Sequence, residues 1–279
     1  MPRTALLEIS GHRGALGRYP GNSLAGFSHA LQSGVHAVEL DVWVTADDEL
    51  VLFHDGVVST AAGPVDVRQS NLRDIPLAKR GQTGSTDEER APTLHELLAL
   101  FRFTGAFDVI IDVEIKPSRD TGRGYLDRVT EQVAAVLLAH ADEQAVRVRS
   151  FDTRVLERFG RLAPSIDRIG LIAHGWGQDL DAMIPGPAIE AVAVARSLGL
   201  SALAPQSPWV TRDWVDAVHV AGGQVLAWGN ATLEDQLDAM LDAGCDGLCV
   251  DDPAKLRRML VARGLEVPPA HLVPLPVLV

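Results

Sequence analysis

Two carboxylates one residue apart interrupt an otherwise apolar stretch, Glu39 and Asp41 in "AVELDVWVT". A second stretch, "DVEIKPS", carries Glu114 and Lys116 at the same spacing. In an extended chain residues i and i+2 share a face, so each pair points one way. Two unit charges about 4 Å apart at an effective dielectric near 20 repel by ~4 kcal/mol, so three gathered carboxylates need compensation. A divalent cation, bound protons or the Lys116 ammonium can each supply it. A buried ion-pair network and solvated rim acids are the alternatives without a metal. Oxygen-only ligation suits a hard ion, Mg²⁺ or Ca²⁺, rather than a structural zinc. Two histidines, His12 in "GHRG" and His54 in "FHDG", flank the acids in the chain and have the makings of a general acid and base. Arg13 and Lys116 add positive charge of the kind that holds a phosphate oxyanion.

Such side chains need a scaffold that delivers neighbouring strand ends to one place. Eight short apolar runs recur: "ALLEIS", "AVELDVWV", "DVIIDVEI", "AVRVRS", "RIGLIA", "SALAP", "QVLAWG" and "GLCVD". Amphipathic segments such as "NSLAGFSHALQSG" and "TLHELLALFRFTG" lie between them, several opening on Asn, Thr or Asp and closing on Gly, which suits helix caps. Strict alternation of strand and helix predicts a parallel sheet, and eight units in about 250 residues is the size of a (β/α)₈ TIM barrel. The competing doubly wound sheet is disfavoured because "SGHRGALGRYPG" lacks the GxGxxG spacing. A barrel places its active site at the C-terminal ends of its strands. The expected organisation is one domain over residues 1–265, a small insertion or long loop at about 55–92 after strand 2, and a Pro-rich tail over 266–279 that packs on the surface or frays.

The chain of 279 residues is 47% hydrophobic, enough for a large core, and carries a formal charge of -12. That balance argues against a nucleic-acid partner, which needs clustered Lys and Arg. Cys245 and Cys249 make no disulfide framework and read as buried free thiols. With no leader-like h-region and no long apolar run, a cytoplasmic protein without stable membrane insertion is expected. The sequence leaves the oligomeric state open.

Taken in order, these motifs resemble the glycerophosphodiester phosphodiesterase family. His12-Arg13-Gly14 and Asn22-Ser23 match its opening; Glu39, Asp41 and Val42 match E-x-D-V; His54-Asp55 matches HD; Glu114 and Lys116 match E-x-K. Pro92-Thr93-Leu94, Ser150-Phe151-Asp152, Trp228 and "DGLCVDDP" follow. The resemblance implies a TIM barrel that uses one divalent cation to hydrolyse small-molecule glycerophosphodiesters to sn-glycerol 3-phosphate and an alcohol. It implies Glu39, Asp41 and Glu114 as metal ligands, His12 and His54 as the acid–base pair, and Arg13 and Lys116 as phosphate holders. Gln206 and Trp228, following strands 6 and 7, are placed to touch substrate, Trp228 as an apolar wall. His174 and Trp176 after strand 5 are weaker candidates, and Asp251 is either a supporting acid or the cap of the last helix. The remaining histidines read as structural or exposed. The chain departs from the family where P-E-N-T becomes "PGNS", where "GVVSTAAG" follows HD, and where W-T-V-N becomes "WGNA". An inactive phosphodiester-binding barrel and a hydrolase of a related lipid phosphodiester, such as a lysophospholipid, are the alternative functions. An amide or phosphotriester hydrolase would want an H-x-H pair on strand 1, where "GHRG" supplies one histidine.

Overall fold

The computed structural model describes residues 6–60, 63–77, 90–116, 123–173, 183–229 and 234–273. Its strands are β1 (Glu8–Gly11), β2 (Ala37–Val44), β3 (Leu50–Leu52), β4 (Val57–Thr60), β5 (Gly63–Asp66), β6 (Ile110–Ile115), β7 (Val146–Ser150), β8 (Asp167–Ile172), β9 (Ala202–Pro205), β10 (Gln224–Trp228) and β11 (Gly247–Val250). Eight of them run parallel in the order β1-β11-β10-β9-β8-β7-β6-β2, and β1 pairs again with β2, which closes the barrel. These eight are the apolar runs read from the sequence. The helices are α1 (Leu24–Ser33), α2 (Leu94–Thr104), α3 (Arg123–His140), α4 (Thr153–Leu162), α5 (Ala188–Leu198), α6 (Arg212–Val220), α7 (Glu234–Ala243) and α8 (Pro253–Ala262).

Helix starts follow local chemistry. The Ser23 hydroxyl accepts from the Gly26 N–H to open α1, and Thr93 and Glu96 form a reciprocal capping box at α2. Gly34, Gly105 and Gly199 close α1, α2 and α5 in the left-handed conformation. Strand side chains divide by parity. Val38, Leu40, Val42 and Val44 of β2 join Phe27, Leu31, Leu97 and Phe101 in the layer between sheet and helices. Glu39, Asp41 and Trp43 take the alternate, inward positions.

The barrel interior is two unlike halves. Ile169, Leu171, Ala202, Ala204 and Leu226 pack there as an apolar cluster with Phe151 and Trp228. On the other side, Arg147 bridges Asp112 (Nε to Oδ1, 2.6 Å) and Glu8 (Nη2 to Oε1, 2.7 Å), and Arg149 Nη2 reaches Asp112 Oδ2 at 2.6 Å. Asp112 is fully buried, and burial opposes its charge, yet the two guanidiniums outweigh that and hold its carboxyl below the usual range.

The stretch after β2 is more regular than its sequence indicates. The excursion begins with β3, which turns back antiparallel along β2, pairing Val42 with Leu52 and Val44 with Leu50. A β4–β5 hairpin and two 3₁₀ turns, Val67–Gln69 and Leu72–Asp74, follow. They carry their own apolar cluster of Trp43, Val51, Phe53, Val67, Ile75 and Ala91. Elements of three or four residues are too short to set up a readable period. Residues 78–89, with most of "TDEER", lie outside the described residues.

The start of the tail packs rather than frays. Val267 and Val273 lie against the core, the His271 N–H donates to Leu31 O (3.0 Å), and Arg257 bonds Pro268 O. Cys245 and Cys249 are free and buried, and burial pushes the Cys245 thiol up to about 12. Among the described residues no helix is long and apolar enough to cross a membrane.

Candidate active site

The register between β2 and β6 assembles the acids. Asp41 lies opposite Glu114 and Glu39 opposite Asp112 in a parallel ladder, where partners share a face. Glu39, Asp41 and Glu114 each offer a carboxylate oxygen, all within 4.8 Å of one another, and all three residues are buried.

The loop after β1 wraps this cluster. Its Gly14 has φ +84, and a Cβ there would come within 2.8 Å of the Gly26–Phe27 backbone, so the turn after Arg13 admits only glycine. The turn aims the Arg13 backbone N–H at Glu39 Oε2 (3.0 Å) and sets Arg13 Nε 3.1 Å from Asp41 Oδ2. Asn22, left-handed at φ +62 and buried, donates from Nδ2 to Asp41 Oδ2 (2.9 Å) and accepts from the Asp41 N–H at 3.2 Å. Asn tolerates that backbone better than most residues. A Cβ on Gly21 would press on Arg13 Cδ at 3.2 Å and Leu16 Cδ1 at 2.9 Å. Glycine where the family pattern has an acid therefore leaves room for the Arg13 stem.

Lys116 lies between two of the acids. Its Nζ is 2.8 Å from Asp41 Oδ1 and 2.7 Å from Glu114 Oε1. Burial works against the ammonium, but the two carboxylates more than compensate and raise its pKa. Burial likewise works against Asp41, and Lys116, Arg13 and His54 override it, holding the carboxyl well below the usual range. Glu39 lacks such partners. Burial, then the charge of Asp41, pushes it up to about 7 despite His12.

Each histidine is held by an acid at Nδ1. His12, one residue beyond β1, meets Asp251 Oδ1 at 2.5 Å, while its Nε2 lies 3.9 Å from Glu39 Oε2. His54 meets Asp55 Oδ1 at 2.7 Å, and its carbonyl accepts from Trp43 Nε1 at 3.3 Å. β3 explains its position: the returning strand donates the Phe53 N–H to Asp41 O (3.1 Å), which carries His54 back to the acids. Burial lowers the His54 pKa, Lys116 and Arg13 lower it further, and Asp41 and Glu114 oppose.

Gln206 and Trp228 follow β9 and end β10, across the barrel from β2 and β6. They meet in a parallel bridge. Trp228 Nε1 donates to Ala204 O (3.0 Å), and its ring meets Phe151 edge-on at 6.0 Å, so it forms part of the apolar wall. His174 and Trp176 lie outside the described residues.

The sequence reading leaves two features unresolved, the duty of Asp251 and that of Asn22, and misses a third. Asp251 is the His12 partner, whereas the cap of α8 is Asp252, whose Oδ1 accepts from the Lys255 N–H. Asn22 enters that reading only as a motif match. The Asp112–Arg147–Arg149 network lies beneath the triad, and its signal was present: Asp112 shares parity with Glu114 and Lys116, and "VRVRS" repeats Arg at i and i+2.

The fold and this centre together define a (β/α)₈-barrel protein whose strand ends carry a buried cluster of three carboxylates, which could hold a metal ion, beside two acid-anchored histidines. A sequence model of the glycerophosphoryl diester phosphodiesterase family matches residues 12–255, and the chain belongs to that family. It is 28% identical over 251 residues to the glycerophosphodiester phosphodiesterase of Caldanaerobacter subterraneus subsp. tengcongensis, covering 89% of this chain and 95% of that one. A provisionally named glycerophosphoryl diester phosphodiesterase from Silicibacter pomeroyi superimposes with a TM-score of 0.82 at 26% identity, covering 94% and 96%. An Oleispira antarctica phosphodiesterase, solved with its product sn-glycerol-3-phosphate, shares the fold at a TM-score of 0.73 and 23% identity, covering 92% and 97%.

Proposed function

We propose that the chain hydrolyses small-molecule glycerophosphodiesters to sn-glycerol 3-phosphate and an alcohol, with one divalent cation and histidine acid–base catalysis. The observation that carries this reading is the buried triad of Glu39, Asp41 and Glu114 between two histidines whose Nδ1 atoms are taken by carboxylates. The relatives named for this activity support it.

The donor set fits a hard ion. It is all oxygen, and among the described residues Asp41 Oδ1 and Glu114 Oε1 are buried without a hydrogen bond of good geometry, each beside the Lys116 ammonium. Glu39, Asp41 and Glu114 would hold Mg²⁺ or Ca²⁺. Bound there, such an ion would supply positive charge for a phosphoryl oxygen and favour loss of a proton from a nearby hydroxyl or water.

The chain's own groups do the rest. With Nδ1–H donated to Asp251 or Asp55, each imidazole presents Nε2 to the pocket, as a base when neutral and an acid when protonated. One takes the proton of the attacking oxygen, and the other protonates the leaving alcohol. Arg13 and Lys116 orient the phosphate and balance its charge. The apolar wall at Trp228 suits the carbon face of glycerol, with Gln206 beside it.

The test is purified protein with glycerophosphocholine and glycerophosphoethanolamine, in Mg²⁺ or Ca²⁺ and then with EDTA, reading glycerol 3-phosphate. Release that EDTA abolishes is the expected result. A folded protein that binds either ion and releases nothing from these or other phosphodiesters would overturn the reading in favour of an inactive barrel.

A further inference from the structure

Lys116 occupies the oxygens that a cation would need. Asp41 Oδ2 is committed to Asn22 and Arg13, and Glu39 Oε2 takes the Arg13 N–H. Lys116 Nζ spans Asp41 Oδ1 and Glu114 Oε1 at 2.8 and 2.7 Å. An ion held by the same two oxygens at roughly 2.0–2.6 Å would lie close to that ammonium. Two positive centres at that distance in a buried site repel strongly.

Resting on the metal-site reading above, we infer that Lys116 is the triad's internal counter-ion in the metal-free protein, and that loading of a divalent cation displaces its ammonium from Asp41 and Glu114 toward the substrate phosphate. The lysine is placed for such a move. It lies one residue past the end of β6, at the barrel rim, on a flexible four-carbon stem. Its side chain is 12% exposed, so it is not sealed in the interior. Before loading, it stabilises two like charges that would otherwise repel. After loading, the ion takes over that task, and the freed charge completes the phosphate site. Cation and phosphate ester therefore bind in order, and the metal-free protein lacks two positive contacts for phosphate rather than one.

The sequence contains three lysines, Lys79, Lys116 and Lys255, which makes a direct test practical. In protein labelled with ¹⁵N-lysine, the ion-paired Nζ of Lys116 should exchange protons slowly and give a resonance that Lys79→Arg and Lys255→Arg leave in place. Calorimetry on the same sample establishes whether Mg²⁺ or Ca²⁺ binds. With ion bound, that resonance should shift or broaden as its carboxylate partners are lost. Lys116→Met should bind the ion about tenfold more tightly or better, because the competing charge is gone. An ion that binds while the Lys116 resonance stays unchanged would overturn the inference and leave the metal site standing, whether or not the Met variant folds. Absence of ion binding by wild-type protein would instead defeat the metal-site reading, and this inference with it.

Discussion

Asp251 and Asp252 are neighbours with separable duties, and exchanging them one at a time tests the proposed acid–base machinery. Asp251 accepts from His12 Nδ1 at 2.5 Å, and its own side chain is 44% exposed. Asp252 accepts from the Lys255 N–H at 2.8 Å and caps α8. Asp251→Asn preserves shape and removes charge. A hydrogen bond to a charged partner is worth ~1.5–3 kcal/mol against ~0.5–1.5 for a neutral one, so the His12 imidazolium loses about 1 kcal/mol of support. If that cation forms in the transition state, kcat falls about fivefold. KM should hardly change, because Asp251 acts on His12 rather than on substrate. The fold should hold, since among the described residues the Asp251 carboxylate meets the His12 ring and no backbone N–H. Asp252→Ala should do the reverse, costing about 1 kcal/mol of stability through the lost cap while sparing kcat. The assay is glycerol 3-phosphate release over a substrate series, with thermal melts of both variants. Full kcat in Asp251→Asn, or an equal fall in the two variants, would refute the assignment of Asp251 to His12.

The other predictions follow from the same geometry. His12→Ala and His54→Ala should each lower kcat by ~10²-fold or more in folded protein, and retained activity in either would exclude that histidine from proton transfer. Glu39 is held protonated up to about pH 7, above its ordinary 4.5, so a metal ion must displace a proton from it below that pH. Affinity for Mg²⁺ or Ca²⁺ measured by calorimetry should weaken by about tenfold per pH unit below 7 and flatten above it, and Glu39→Gln should weaken binding and remove the slope. The same raised value means that, without metal, the Glu39 contribution to stability is full below pH 4.5 and is lost as pH rises through 7, visible as a falling melting temperature in EDTA. Arg147→Met leaves Glu8 unpaired and Asp112 with Arg149 alone, so urea denaturation should report a loss of ~3–5 kcal/mol. An unchanged midpoint would mean that the interior charges do not support the barrel.

Much of the architecture is legible because strand and helix periods are local properties. The alternating runs in "AVELDVWV" and "DVIIDVEI" are true strands with the expected parity, and Ser23 and Thr93 cap the helices that follow. The hairpin of β4 and β5 is not legible, because four-residue strands exposed on one face carry too little pattern. The site is half legible. Spacing alone says that Glu39 and Asp41 share a face and that Glu114 and Lys116 share another, since both follow from the two-residue repeat of an extended chain.

Whether those faces meet is not a local property. It depends on β2 and β6 being neighbours with Asp41 in register with Glu114, although β3, β4, β5 and α2 lie between them in sequence. Only the antiparallel return of β3 carries His54 back beside Asp41, and only closure of β11 onto β1 brings Asp251 to His12 across 239 residues. The sequence by itself determined which residues can ligate, titrate or hold phosphate, because that is side-chain chemistry. Barrel closure and strand register decided which of them act on one another, because electrostatic coupling depends on distance in space and not along the chain.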